Sequence, residues 1–292
     1  MKKVLLIGAK GQVGQELQVT LQSLGEVISI GREELDLTNS EKISQLIREI
    51  HPDYLVNAAA YTAVDKAEIE PDLAYSINAI APKIMAESAE KIQAKFLHIS
   101  TDYVFDGRKN TPYLETDLTN PLGVYGQSKL RGEEEIKTVN SQAIILRTAW
   151  VYGSYGKSNF VKTMLRLGKE REELKVVVDQ VGSPTWAKDI ATAITQLLIN
   201  VDNPTGIYNF TNSGVASWFD LTKAIFEEAK ISGISLKIQR VIPITTAEYP
   251  TPAVRPAYSV LSGQKISQQL GCYIPPYWRD SLKAMLNQLF NL

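Results

Sequence analysis

Along the first half of the chain, short runs of unbroken apolar residues alternate with longer stretches in which apolar positions recur every three or four residues. The short runs lie at 4–7, 27–30, 54–56, 96–99 and 143–146, and their continuity is the pattern of strands covered on both faces. After Ser40, which reads as an N-cap, Ile43, Leu46, Ile47 and Ile50 recur at helical spacing. Pro52 ends that helix, because the residue before a proline, here His51, is driven out of the α region. Strands alternating with helices predict a parallel sheet wound on both sides.

From about Trp150 the alternation fades. Residues 176–178 and 207–209 read as further strands of the same sheet, and Ser217 with Asp220 reads as a capping box opening a helix through Lys230. Pro243, Pro250, Pro252 and Pro256 punctuate an aromatic stretch that suits a loop over a substrate and equally a proline-stiffened linker. The expected fold is α/β: a Rossmann-type doubly wound parallel sheet from 1–150 and 176–209, with a smaller C-terminal α+β substrate-binding domain from 151–175 and 210–292.

Charge and composition narrow the function classes. The 31 Lys and Arg are balanced by 32 Asp and Glu, so there is no basic field for nucleic acid or anionic lipid. Cys272 is the one cysteine, and with only His51 and His98 beside it neither a disulfide nor a zinc cluster can be built. That usage fits a cytoplasmic protein. The apolar run at 4–7 is cut by Gly8, Lys10 and Gly11 well short of an export signal, and no run approaches the ~18 residues of a membrane helix. The expected partner is a small molecule, with no nucleic acid and no membrane.

Directly after the first strand stands Gly8-Ala9-Lys10-Gly11-Gln12-Val13-Gly14, a G-x-x-G-x-x-G turn opening a helix. With 18 Gly in 292 residues, that spacing has a random expectation of about 0.07. The glycines permit a tight turn, close approach of a pyrophosphate and close packing of helix on strand. The anion then sits on unpaired amides at the positive end of the helix. The second strand ends in Gly31-Arg32, without the carboxylate that binds a ribose 2′-hydroxyl; arginine there pairs with a 2′-phosphate, which favours NADPH, with NADH the alternative. Asp36 and Leu37 are placed toward the adenine.

Tyr125 and Lys129 are four residues apart, so on a helix both emerge from one face. Such a pair arises about once by chance in this composition. Its context adds weight, because Ser100-Thr101-Asp102 closes the fourth strand and ligands of open α/β sheets bind beyond the carboxyl ends of strands. A carbonyl accepting hydride needs a proton donor; a neighbouring Lys⁺ is expected to draw the Tyr125 hydroxyl toward neutrality, and Thr101 to bond the oxygen as it becomes an alkoxide. His98, inside an apolar strand, reads as a buried, hydrogen-bonded histidine, and Asp102 and Asp106 as local turn formers.

In this order, the glycine turn, Asn57-Ala58-Ala59-Ala60, Asn78, Ser100-Thr101-Asp102 and Tyr125-x-x-x-Lys129 resemble the extended short-chain dehydrogenase/reductase family. Residues 57–68, 100–107, 147–152 and 249–256 are similar to one nucleotide-sugar reductase branch of it over nearly the whole chain. The resemblance implies hydride transfer to the C4 carbonyl of dTDP-4-dehydro-β-L-rhamnose for cell-surface polysaccharide, with Tyr125 as proton donor, Lys129 as its electrostatic partner and ribose contact, and Thr101 at the C4 oxygen. It implies cofactor contacts at Gly11, Gln12, Val13, Asp36, Leu37, Ala59, Ala60 and Tyr61, to which the residue readings add Gly8 and Gly14 of the turn, Arg32 and Asn78, and it implies substrate contacts at Thr101, Asp102, Trp150 and Arg255. Some members are metal-bridged dimers, but Lys188 stands where a bridging carboxylate would align, so no metal is assigned and a homodimer stays open. A 4,6-dehydratase would carry Asp-Glu after the threonine, where this chain has Asp102-Tyr103, and the same stretch disfavours a 4-epimerase. The alternative of another class is a non-catalytic nucleotide-binding subunit, similar to the methionine adenosyltransferase β subunit.

Overall fold

The computed structural model describes residues 1–291. Its strands are β1 (Lys3–Ile7), β2 (Glu26–Ile30), β3 (Tyr54–Asn57), β4 (Lys95–Thr101), β5 (Ile144–Thr148), β6 (Glu173–Val177), β7 (Gly206–Asn209) and β8 (Arg240–Ile244), besides two-residue bridging strands. The main helices are α1 (Gln12–Thr20), α2 (Ser40–Ile50), α3 (Ala81–Lys91), α4 (Val124–Val139), α5 (Phe160–Glu170), α6 (Ala187–Asn200), α7 (Trp218–Ile231) and α8 (Trp278–Phe290). None is long and apolar enough to cross a membrane.

Six strands form one sheet in the order β7-β5-β4-β3-β1-β2, and every pairing in it is parallel. Along β1 the side chains alternate between faces: Val4 and Leu6 join the core under α1 and α6, whereas Leu5 and Ile7 join the core under α2 and α3. Both faces are buried, which explains the unbroken apolar runs. On the second face Ile43 and Ile47 of α2 are fully buried, each stabilising by ~1.5–3 kcal/mol. The first core continues past the sheet into Ile225 and Phe226 of α7 and Leu282 and Met285 of α8.

Two local expectations are corrected. Residues 176–178 do not join the main sheet: β6 pairs only with β8, in parallel, as a separate two-stranded sheet. An unbroken apolar triplet carries no information about its partner, and here the partner comes from over sixty residues later in the chain. The cap of α2 is Asn39, whose side chain accepts from Lys42 N–H, and Ser40 is the first helical residue. His51 ends that helix at φ 48°, and the capping box of Ser217 with Asp220 is present in both directions.

The order of strands reverses between β1 and β3, since β2 lies on one side of β1 and β3, β4 and β5 follow on the other. Side chains and loops at the carboxyl ends of β1, β3 and β4 therefore border the crevice in which open α/β sheets bind ligands.

Candidate active site

The glycine turn occupies the carboxyl end of β1. Gly8 has φ +88°, and a Cβ there would lie 2.5 Å from Ala59 N at the end of β3. Gly14 lets α1 settle on that turn, because its Cβ would meet Gly8 O at 2.1 Å. Gly11 is the N-cap of α1 and offers no side chain to the first helical amides, those of Gln12, Val13 and Gly14, which have no partner within the helix. Amides so placed are able to hold a phosphate by backbone alone. The Val13 side chain is buried in the core, so only its amide faces out, and Gln12 Oε1 accepts from Asn159 at 2.7 Å.

Arg32 is exposed after β2. Asp36 spends its carboxylate locally, accepting Thr38 N–H and Oγ1–H at 2.9 Å each, and this holds its pKa low. Leu37 packs partly buried on the second core. Between Ala59 and Tyr61 the path is fixed by two buried amides: Asn57 Oδ1 accepts Ala59 N–H, and Asn78 Oδ1 accepts Tyr61 N–H while its Nδ2 donates to Tyr61 O and Ser128 Oγ. Asn78 sits in a π-helical turn, Ser76–Ile80, against which α4 packs so closely that a Cβ on Gly132 would lie 2.1 Å from Asn78 O.

At the carboxyl end of β4 lie Thr101, Asp102, Tyr125 and Lys129, all at most 9% exposed. Thr101 Oγ1 donates to Asp102 Oδ1 at 3.0 Å and accepts Tyr103 N–H. Asp102 Oδ2 has no hydrogen-bond partner, and burial raises that carboxyl to about 6 against the opposing Thr101 and Ser259 hydroxyls. Tyr103 packs edge-on against Tyr125 with ring centroids 5.4 Å apart.

The expected pull of Lys129 on Tyr125 is absent. Burial pushes the Tyr125 hydroxyl up to about 12, with the Thr101 hydroxyl opposing. Lys129 Nζ turns instead to His98 Nε2 at 3.0 Å and Ile99 O at 2.7 Å. Burial also lowers Lys129 to about 7, so near neutrality it is a weak source of positive field.

Residues 1–291 match the family model described as RmlD substrate binding domain. The chain belongs to that RmlD family. It is 44% identical over 294 residues to the dTDP-4-dehydrorhamnose reductase of Escherichia coli strain K12, covering 98% of each protein. Its fold superposes with TM-score 0.92 on a dTDP-4-dehydrorhamnose reductase crystal structure from Clostridium acetobutylicum, at 41% identity over 99% of both chains. A Bacillus anthracis structure of that reductase, in complex with NADP, gives TM-score 0.92 at 40% identity over 99% of this chain and 100% of the other.

In this RmlD chain the remaining substrate candidates, Trp150 and Arg255, are half-buried. Trp150, at φ 48°, stacks on Trp218 with centroids 3.5 Å apart and planes 1° from parallel. Gly182 admits the Trp150 ring, since a Cβ there would come within 2.5 Å of it. Arg255 pairs with Asp65 at 2.8 Å and bonds Thr251, which ties the loop around Pro252 and Pro256 to the sheet side. Asp106 accepts Arg108 N–H in a local turn, as expected.

Sequence reasoning missed the support beneath the site. Glu133, one turn beyond Lys129, accepts from Ser100 Oγ and forms a two-point ion pair with Arg147, both partners essentially unexposed. Trp218 was equally unforeseen, because nothing in its local pattern separates a stacking partner from a core aromatic. Glu133 carried a faint signal: an acidic residue on the buried face of a helix has to be paired.

Proposed function

We propose that the chain reduces the C4 carbonyl of dTDP-4-dehydro-β-L-rhamnose to dTDP-β-L-rhamnose with NADPH, in the cytoplasm. The supporting observation is the burial of Thr101, Tyr125 and Lys129 together at the carboxyl end of β4, on the same edge of the parallel sheet as the glycine turn of β1. The names of the relatives supply the substrate, and the NADP in the Bacillus anthracis relative agrees with Arg32 meeting a 2′-phosphate.

A dinucleotide suits these residues: the amides of Gln12, Val13 and Gly14 would hold its pyrophosphate, and Ala59, Ala60 and Tyr61 its flank. When bound it supplies the hydride. Tyr125, protonated across the neutral range, gives its hydroxyl proton to the C4 oxygen. Thr101 Oγ1–H turns from Asp102 to the same oxygen and stabilises its growing charge, which frees the Asp102 carboxylate for a sugar hydroxyl. The Trp150 ring, stacked on Trp218, flanks the sugar. Arg255 spends Nη1 on Thr251 and Ala253 O and Nη2 on Asp65, which leaves Nε for a nucleotide phosphate.

The test is isotopic. NADPH carrying deuterium at the transferable position should place the label at C4 of the product and nowhere else. Label at C6, where a dehydratase returns its hydride, would favour the dehydratase-like reading, and no substrate-dependent oxidation together with a stable heterologous protein partner would favour the regulatory subunit.

A further inference from the structure

Asn57, fully buried at the end of β3, uses both ends of its amide. Its Oδ1 accepts Ala59 N–H at 3.0 Å, which leaves Nδ2 to donate to His98 Nδ1 at 3.0 Å. Turned round, the amide would set two donors against each other at Ala59. His98 Nδ1 is therefore an acceptor, and a neutral ring then carries its proton on Nε2. That N–H points at Lys129 Nζ, 3.0 Å away. An ammonium has three donors and no lone pair, whereas a neutral amine can accept. The amine keeps one N–H for Ile99 O and one for a bound molecule.

We propose that His98 is a positioning residue which, with its tautomer fixed by Asn57, holds Lys129 as a neutral amine in the ligand-free protein. The proposal rests on Lys129 belonging to the catalytic site as read above. The alternative state differs by one proton taken from solvent. Lys129 becomes an ammonium, the ring proton moves from Nε2 to Nδ1, and the Asn57 amide turns so that Oδ1 accepts it. That turn breaks the Ala59 N–H bond and sets Nδ2 against it, a cost that opposes charging Lys129 until Ala59 N–H, on the flank assigned to the dinucleotide, finds another acceptor, so the charge on Lys129 is coupled to a backbone donor on the cofactor side.

The surroundings agree. Burial and the adjacent Lys129 keep the His98 ring from protonating twice. Glu133, on the same helix, favours a charge on Nζ, but Arg147 of β5 and Ser100 of β4 already occupy its oxygens. Tyr125 and Tyr103 are both held protonated by burial, and Asp102 acts on Tyr125 rather than on Lys129.

Ring ¹⁵N NMR of the ligand-free wild-type chain reads the tautomer without any requirement for turnover. His51 is the other histidine, and His51→Asn, which tolerates the left-handed backbone there, removes its signals. The expected result is Nε2–H above neutrality, changing to Nδ1–H as pH falls through about 7, with no doubly protonated ring. A second readout is the pH profile of kcat/KM in His98→Asn: a carboxamide oxygen can accept from an ammonium, so the pKa contributed by Lys129 should rise by about one unit or more. Nδ1–H at every pH, a doubly protonated ring, or a His98→Asn profile that superimposes on wild type after scaling would overturn the proposal. If Tyr125→Phe kept full turnover, the catalytic reading would fail while the tautomer result still stood.

Discussion

Asp102→Asn should stabilise the ligand-free protein at neutral pH. The carboxyl is 2% exposed, and its Oδ2 has no hydrogen-bond partner. Its native pKa lies at about 6, against 3.8 for the free side chain. Between those values the native state binds a proton that the unfolded state has released, so this group's contribution falls as pH rises. The gap is about two units at ~1.4 kcal/mol each, which leaves Asp102 costing roughly 3 kcal/mol above pH 6 relative to acid conditions. An asparagine has the same shape and no charge to desolvate. Urea denaturation of both chains should therefore show a gain of about 2–3 kcal/mol at pH 8 that vanishes near pH 4. Activity should drop, because the site has given up stability to present that carboxylate. A difference independent of pH, or a loss of stability at pH 8, would refute the reasoning.

Three other outcomes follow from the same structure. Arg32→Ala should raise KM for NADPH at least ~10-fold with little change for NADH, since a charge-assisted pair with a phosphate is worth about 1.5–3 kcal/mol; equal effects on both cofactors would exclude that contact. Glu133→Gln should destabilise by about 3–5 kcal/mol in denaturant melts, because it leaves Arg147 charged and buried, and replacing Arg147 by Met in that background should recover part of the loss. Gly14→Ala should weaken dinucleotide binding and lower stability by about 1–3 kcal/mol, because its Cβ would lie 2.1 Å from Gly8 O; calorimetric titration and melting together check it.

Much of the sheet was legible in the sequence, because a strand buried on both faces has to be apolar throughout and the helices between strands keep their own period. The glycine turn and the Thr101, Tyr125 and Lys129 set were legible as residue types at spacings that chemistry requires. What escaped was pairing at a distance. The partner of β6 lies in β8, and the partner of Lys129 on α4 is His98 on β4, neither of which a local pattern encodes. The electrostatic expectation for Tyr125 presumed an ammonium directed at the phenol, whereas in the ligand-free chain Nζ bonds His98 and Ile99 O and burial lowers its pKa to about 7, with Glu133 opposing.

The most direct test of the catalytic assignment follows NADPH absorbance with enzymatically prepared dTDP-4-dehydro-β-L-rhamnose. Wild type should oxidise NADPH only when the sugar is present, and Tyr125→Phe should do so at least ~10²-fold more slowly. Undiminished turnover by Tyr125→Phe, or no sugar-dependent oxidation by wild type, would contradict it.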